Sequence, residues 1–524
     1  MTDSRKRRSL LLVNPRRKHR FHWDLKEVCE IMGKKNAITP LALPTLAALT
    51  PGNYAIRIVD EEIENLDPGT LNPDLVGITA LNPNVKRGYE LADAFRRQGS
   101  TVVMGGPQVS FDVERTLEHA DAVVVGEAEG SWERLLADFE SGRLQQIYRA
   151  AAFPAFTRQP APRWDLIDTR AIMSIGVQTS RGCPFACDFC SVRRMYGPRQ
   201  RYREIDNVIE EIAGLPIKHL TFVDDNLTAN KPYARALMAR LKPLRVSWVC
   251  QASQEIAFDT PLLQAMAEAG CTAILMGFES VNPDNLRDNN KLHNRLDLYD
   301  EAVRRIHAAG IHVLGAFIVG FEHDTRAAFD QVYEFATRNG ITYLQFHVLT
   351  AYPGTDLYDR MSAAGRLNEV DPDLLNGVTP TMQYRHLSQV ELFEGYFQTL
   401  ERLLDYDGVR EKALRVLGNG AFSKEHEAGI GLRDKFVSFS HLVRRFLITT
   451  DRSRRRLFLD LVGLARKRVV SMSVVVEYLL FVSSLRGYVD YLNRHRAEIL
   501  ETIRRTDRGP YEPPAGPAPD GQQR

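Results

Sequence analysis

Rhythm constrains the fold of this chain most. Short runs rich in β-branched and aliphatic residues alternate with segments whose apolar residues recur at helical spacing, and they do so in two separate series. Such alternation predicts α/β architecture with parallel sheets. In the first series the strand candidates are Ser9 to Asn14, Ala55 to Asp60, Leu75 to Thr79, Thr101 to Met104 and Ala122 to Val125, with helical patterns over Arg87 to Gln98 and Ser131 to Glu140. Pro51-Gly52, Pro68-Gly69 and Gly105-Gly106-Pro107 punctuate it. A doubly wound, Rossmann-like unit over residues 1–145 is expected. Breaker-rich residues 146–170, with Pro154, Pro160 and Pro162, read as a linker. The second series, residues 171–385, places strands at Ser174 to Thr179, Leu220 to Val223, Val246 to Ala252, Ala273 to Gly277, His312 to Val319 and Tyr343 to Leu349. Six β/α repeats suggest a partial (β/α)6 barrel, whose chemistry belongs at the C-terminal strand ends.

The loop after the first strand of that second series carries Cys183, Cys187 and Cys190 within Arg181-Gly182-Cys183-Pro184-Phe185-Ala186-Cys187-Asp188-Phe189-Cys190. Six cysteines in 524 residues, three of them this close together, are not a disulfide framework and point to a metal in a reducing compartment. Three soft thiolates suit three irons of a [4Fe-4S] cubane. With no fourth cysteine on the loop, one iron stays open to chelate the amino and carboxylate groups of S-adenosylmethionine (SAM), whose cleavage yields a radical. The alternatives are a zinc site, which wants a fourth Cys or His, and a chance cluster of buried thiols. Cys29, Cys250 and Cys271 lie outside the loop, and the apolar strand contexts of the last two suit core packing.

The C-x3-C-x-F-C arrangement at the end of a first barrel strand resembles the radical SAM superfamily. The resemblance makes the three cysteines the catalytic cluster ligands and implies SAM contacts further along. Phe189 lies within the loop. Asp225, in Phe222-Val223-Asp224-Asp225-Asn226, is the candidate for the SAM amino group, and Glu279 and Ser280, in Gly277-Phe278-Glu279-Ser280, for its methionyl and ribose parts. Ile318 and Gly320, in Phe317-Ile318-Val319-Gly320-Phe321-Glu322, stand where the family places adenine, and Tyr352-Pro353-Gly354-Thr355 follows the sixth strand as in many relatives. By themselves these elements are ordinary turn chemistry at strand ends.

The N-terminal unit is similar to the cobalamin-binding domain that precedes the barrel in one large subgroup. The resemblance makes Asp60, Glu62, Thr79, Gly105, Gly106, Gly126 and Glu127 its cofactor-binding candidates, since glycines after parallel strands let a cofactor approach the backbone. One departure stands out. Glu62 and Asn65 occupy the histidine and glycine positions of the Asp-x-His-x-x-Gly element that supplies a lower axial ligand to cobalt, so histidine ligation from there is excluded.

From about Ser388 helical periodicity takes over, in Val390 to Leu404, Asp434 to Leu447, Arg454 to Lys467 and Val474 to His495, giving a helical unit over residues 386–506 that resembles the extension of hopanoid methylases. Residues 507–524, dominated by Gly, Pro and Gln, read as a disordered tail. Arg444, Arg445, Arg452, Arg454, Arg455, Arg456, Arg466, Lys467 and Arg468 beside Phe446, Leu447, Leu457 and Phe458 suit peripheral contact with anionic lipid, or a solvated helix face. Arg199, Arg201 and Arg203 suit contact with a substrate or SAM carboxylate, or a solvated positive strand face. No run approaches roughly 18 consecutive apolar residues, so no membrane crossing is expected. A formal charge of +2 gives no support for nucleic acid as partner.

The expectation is therefore a cytoplasmic enzyme, peripheral to the inner membrane surface if the basic face docks there, that depends on cobalamin and SAM. It would methylate an unactivated carbon of an apolar small molecule or lipid, with electrons from a reductant such as flavodoxin or ferredoxin. A radical SAM cyclase, oxidase or rearrangement enzyme without methyl transfer is one alternative. A non-catalytic corrinoid-binding sensor is the other.

Overall fold

The computed structural model describes residues 7–21, 24–422 and 432–512. Its first sheet contains β1 (Arg8–Asn14), β2 (Tyr54–Asp60), β3 (Leu75–Thr79), β4 (Thr101–Gly105), β5 (Ala122–Val125) and β6 (Ile147–Arg149). All pair in parallel, in the order β2-β1-β3-β4-β5-β6. Helices cover both faces, which is why the strands read as unbroken apolar runs. In β1 the side chains alternate between two cores: Leu11 and Val13 enter one, Leu10 and Leu12 the other.

β6 lies inside the segment expected to be a linker and pairs with β5. Its three residues were too few to signal a strand among so many breakers. The segment that follows is packed as well. Arg163 N donates to Pro44 O at 3.0 Å and Glu204 N to Thr157 O at 2.7 Å, so residues 150–163 run as a strap across both units. At the other end, the helix Lys26–Ile31 sends Val28 and Ile31 into the barrel core, not into the first sheet.

The second sheet contains β7 (Ile175–Val177), β10 (His219–Phe222), β11 (Ser247–Gln251), β12 (Cys271–Glu279), β13 (His312–Val319) and β14 (Tyr343–Val348). The order β14-β13-β12-β11-β10-β7 is all parallel, and β7 and β14 are its two edges, so the barrel is open. A small antiparallel pair, β8 (Ser180–Arg181) with β9 (Arg201–Tyr202), brackets the cysteine loop.

The helices Gln389–Leu403, Tyr406–Leu417, Leu432–Leu447, Arg452–Arg466 and Met472–Thr506 follow. They share one hydrophobic core with the barrel. Tyr396 stacks on Phe346 of β14 with centroids 5.0 Å apart, and the Tyr478 hydroxyl lies 2.6 Å from that of Thr342. Met472–Thr506 is, among the described helices, long and apolar enough to cross a membrane by length and composition, although no run of consecutive apolar residues announced it. Within its most apolar window 67% is buried in the fold, as expected of a core helix. The expected tail begins differently from its reading. Asp507 accepts from the backbone N–H groups of Gln389 and Val390, and Tyr511 N donates to Tyr384 O at 2.7 Å. The remainder, residues 513–524, lies outside the described residues.

Candidate active site

The C-terminal ends of the two sheets meet over one cavity of about 340 Å³. Thr79 at the end of β3, Gly105 at the end of β4 with Gly106 after it, and Gly126 and Glu127 after β5 form its wall on the first unit, together with Leu41, Ala42, Leu43, Thr45 and Leu46 at the start of the helix Ala42–Leu49. The barrel contributes Gln178, Arg181, Tyr196 and Asp225. A site of this size between units is typical of bound cofactors and small molecules.

The glycine wall is a cradle for backbone approach. Gly106 adopts φ +109°, and a Cβ there would sit 2.7 Å from the carbonyl oxygen of Ala80, so only glycine keeps this edge flat. The cavity wall contains no histidine. Of the seven cobalamin candidates, Thr79, Gly105, Gly106, Gly126 and Glu127 line the cavity, whereas Asp60 and Glu62 do not. Asp60 is buried, its carboxylate taken up by Asn14 Nδ2, Asn36 Nδ2 and Thr39 Oγ1; burial raises its pKa against those hydrogen bonds. Glu62 pairs with Arg17 at 2.9 Å. Their proximity to a strand end in the sequence is real, but the β1 and β2 ends lie off the cavity.

The cysteine loop hangs over the barrel side. Its three thiols are free and partly buried. Burial raises all three, to about 11 for Cys187 and about 12 for Cys190, while the Lys291 ammonium opposes the rise at Cys187. Cluster assembly must therefore displace their protons. Among the described residues no three His, Cys, Asp or Glu side chains gather around a single-ion site. Three thiols without a fourth Cys or His on the loop match the three-thiolate ligation of a cubane, whereas a structural zinc site takes four such donors. The loop is anchored from outside: Asp188 accepts from Arg360 Nη1 and Asn290 Nδ2, each at 2.5 Å.

Two adjacent acids at the end of β10 divide the work. Asp224 is fully buried and accepts from Thr179 N, Thr179 Oγ1 and Ser180 Oγ, which ties β10 to the strand that launches the cysteine loop. Asp225 faces the cavity, and burial, with the Asp224 charge second, pushes its carboxyl up to about 6. At the end of β12 a register shift between Gly277 and Glu279 turns Glu279 out of the strand in left-handed backbone, φ 62°. Its carboxylate receives Lys291 Nζ at 2.8 Å. Burial works against the Lys291 charge, yet Glu279 and the thiols outweigh it and raise its pKa.

The remaining SAM candidates are connected. Asn285 Nδ2 donates to Ser280 Oγ at 3.1 Å and to Asp324 Oδ1 at 2.7 Å, and Asp324 accepts from the N–H groups of Gly320 and Phe321. Gly320 has φ +105°, with Tyr384 packed 2.9 Å from where a Cβ would be. Phe189 meets Phe321 edge-on, and Ile318 is a half-buried neighbour on β13. These residues gather at the C-terminal ends of β12 and β13.

Sequence reasoning missed Arg181, Lys291 and the helix Ala42–Leu49, since a lone cation or a short apolar turn carries no motif. The arginine trio resolves into three different environments. Arg203 is buried and pairs with Glu211, Arg201 pairs with Glu127, and Arg199 is exposed. Neither expectation, a shared substrate contact or a solvated strand face, describes the set.

Residues 177–336 match the Radical SAM superfamily, and residues 40–136 the B12 binding domain. The bacteriochlorophyllide d C-8(2)-methyltransferase of Chlorobaculum tepidum is 31% identical over 357 residues, 64% of this chain and 79% of that protein. The hopanoid C-2 methylase of Rhodopseudomonas palustris is 29% identical over 350 residues, 63% of this chain and 65% of that protein. The solved structure of the cobalamin-dependent S-adenosylmethionine radical enzyme OxsB, with aqua-cobalamin and S-adenosylmethionine bound, has the same fold, with a TM-score of 0.61 and 13% identity over 95% of this chain and 81% of that one. The cubane, SAM and cobalamin are accordingly its cofactors, and the donor set, the acids and the glycine cradle described above fit them. With three thiols on the loop that β8 and β9 bracket, and a glycine edge lining the cavity beside that ribbon, this chain belongs to the radical SAM superfamily, in the branch that carries a B12-binding domain ahead of the barrel.

Proposed function

We propose that this enzyme methylates an unactivated carbon of a flat, apolar molecule of the tetrapyrrole or polycyclic isoprenoid class. One observation carries the reading: the glycine edge of the first sheet lines one cavity with Asp225 at the end of β10 and with Arg181 of the ribbon that brackets the cysteine loop. When bound, the cluster and SAM supply a carbon radical, and the corrinoid supplies a methyl group. Cys183, Cys187 and Cys190 hold the cluster. Asp225 would hold the SAM ammonium, Lys291 with Glu279 would steer its carboxylate, and the turn at Gly320, closed from behind by Tyr384, would present the end of β13 to the adenine. Gly105, Gly106 and Gly126 admit the corrinoid to the backbone, and Leu41 to Leu46 exclude water from its far face. The relatives' substrates, a bacteriochlorophyllide and a hopanoid, support the substrate class.

The test is anaerobic reconstitution, then incubation with methyl-labelled SAM and candidate tetrapyrroles and hopanoids. Label in the product together with 5′-deoxyadenosine is the expected outcome. 5′-Deoxyadenosine with an unlabelled product overturns methyl transfer in favour of cyclisation or oxidation.

This reading puts the enzyme in the cytoplasm with a flavodoxin or ferredoxin as reductant, at the inner face of a membrane. Phe446, Leu457 and Phe458 are buried in the core and cannot face lipid, so the contact falls to exposed Ile448 and Leu459, 76% and 56% accessible, and to exposed Arg452 and Arg456. Co-sedimentation with phosphatidylglycerol vesicles but not with phosphatidylcholine vesicles is expected; equal recovery in the supernatant with both lipids removes it.

A further inference from the structure

Glu127 lines the cavity and so belongs, by position, with the cofactor-binding candidates. Its carboxylate is nevertheless spoken for. The side chain is 1% exposed, and both oxygens are engaged by guanidinium groups from the barrel: Oε2 by Arg181 Nη1 at 2.8 Å and by Arg201 Nη1 at 3.1 Å, and Oε1 by Arg201 Nη2. Arg181 also reaches Glu129 at 2.5 Å. Burial works against the Arg181 charge, and Glu129 and Glu127 overcome it.

These two arginines are not arbitrary points on the barrel. Arg181 is two residues before Cys183, and Arg201 pairs with it across β8 and β9, the ribbon that brackets the cysteine loop. The strap closes over them. Phe156 covers the Arg181 guanidinium at 4.3 Å and Phe153 covers that of Arg201 at 5.1 Å, while Pro154 O accepts from Arg201 Nη1 at 2.7 Å. Aromatic lids over a forked, desolvated ion pair leave a geometry with little freedom to slide.

We infer that Glu127 is a positioning residue, not a cofactor ligand: it clamps the cysteine loop to the corrinoid edge and so sets the distance between SAM and the cobalt. The inference rests on the proposed function and adds the device that couples its two halves. Breaking one partner of a buried ion pair leaves the others charged and unsatisfied, so the interface should loosen at this point while each unit keeps its own core.

The variants are Glu127→Gln and the charge-conserving Arg181→Lys, which keeps the cation and loses the fork. Each is made in the full chain and compared with wild type. In the cofactor-free protein, faster amide hydrogen exchange is expected over 126–131 and 180–203, with exchange unchanged in β12 and β13. In the reconstituted protein, iron content, corrinoid content and 5′-deoxyadenosine formation should stay near wild type. Transfer of labelled methyl from SAM to bound corrinoid should fall by about a hundredfold, the order expected of a misplacement near 1 Å. That split, radical formation kept and methyl transfer lost, is one that a general loss of stability would not produce. Should Glu127→Gln fail to fold, Phe156→Ala carries the same expectation, because it uncovers the clamp without unpairing a charge.

Unchanged methyl transfer, or corrinoid lost with exchange over 180–203 unaltered, overturns the clamp; the latter would make Glu127 a ligand. A wild type that binds corrinoid yet never accepts the label instead sinks the proposed function, and the exchange comparison still decides the clamp.

Discussion

The two sheets present the same edge to the same cavity and equip it in opposite ways. The first sheet ends in glycines, and among the cavity-lining residues at its strand ends the charged groups, Glu127 and Glu129, are both paired with barrel arginines. The second brings Arg181, Tyr196 and Asp225 to it, and the loops beyond its strand ends carry the three thiols, the buried Asp224 and a half-buried lysine, Lys291. One edge admits a large cofactor by removing side chains; the other performs chemistry by adding them. A parallel sheet serves both purposes because its C-terminal edge points every following loop at one place. Function then depends on loop composition more than on the strands.

The contrast is broken most severely at the thiols. Replacing Cys183, Cys187 or Cys190 with serine should abolish both the cubane absorbance of the reconstituted protein and 5′-deoxyadenosine formation, while corrinoid binding to the first unit persists. Retention of either signal in all three variants would remove the metal assignment.

Next comes the glycine edge. Gly106→Ala places a Cβ against a backbone oxygen at φ +109° and ψ 175°, a backbone region essentially reserved for glycine, and the backbone strain alone is about 1–3 kcal/mol. Gly126→Ala, with φ +80° and nothing within 4 Å of a Cβ, meets only the strain. Corrinoid titration should weaken in both variants, by distortion of the edge in the first and by the methyl group in the cavity in the second, with iron content equal in both. Unchanged corrinoid affinity in both would mean that the cradle is not where the corrinoid sits.

A smaller effect sharpens the acid side. Asp225 titrates near 6, above the usual carboxylate value of about 3.9. The folded state therefore holds the proton more tightly than the unfolded chain, and the stability this provides is present below about pH 4 and lost as pH rises through about 6. Charge on Asp225 is what a SAM ammonium requires. SAM affinity of the wild type should fall as pH drops through about 6, and that dependence should vanish in Asp225→Asn, as isothermal titration across this range would reveal.

The smallest change is expected away from both edges. Cys29 is buried, with its thiol pushed up to about 12 by burial. Cys29→Ala should leave iron stoichiometry untouched and lower stability by about 1 kcal/mol, measured by denaturant unfolding, because it removes only packing.

The strands of both sheets were legible because a strand buried on both faces must be an apolar run of limited length, as in β1 and β3. β6 was not, since three residues are too few to show a period. The cluster thiols were legible because their spacing is itself the chemistry. Asp225 stood out beside a strand end, but its division of labour with Asp224 appears only when Thr179 and Ser180 are seen to occupy Asp224. Asp60 and Glu62 show the converse: residues in the right motif position whose strand ends lie off the cavity.

Sequence alone determined two parallel α/β series, a three-thiol loop with no fourth cysteine and the absence of a histidine at position 62, because periodicity and spacing are local properties of the chain. Only the tertiary structure decided that residues 150–163 form a strap, that the helical C-terminus shares the barrel's core, and that Glu127 answers to Arg181 and Arg201. Contacts between residues more than fifty positions apart, as Glu127 is from both arginines, depend on how the two sheets dock, and no local pattern encodes that docking.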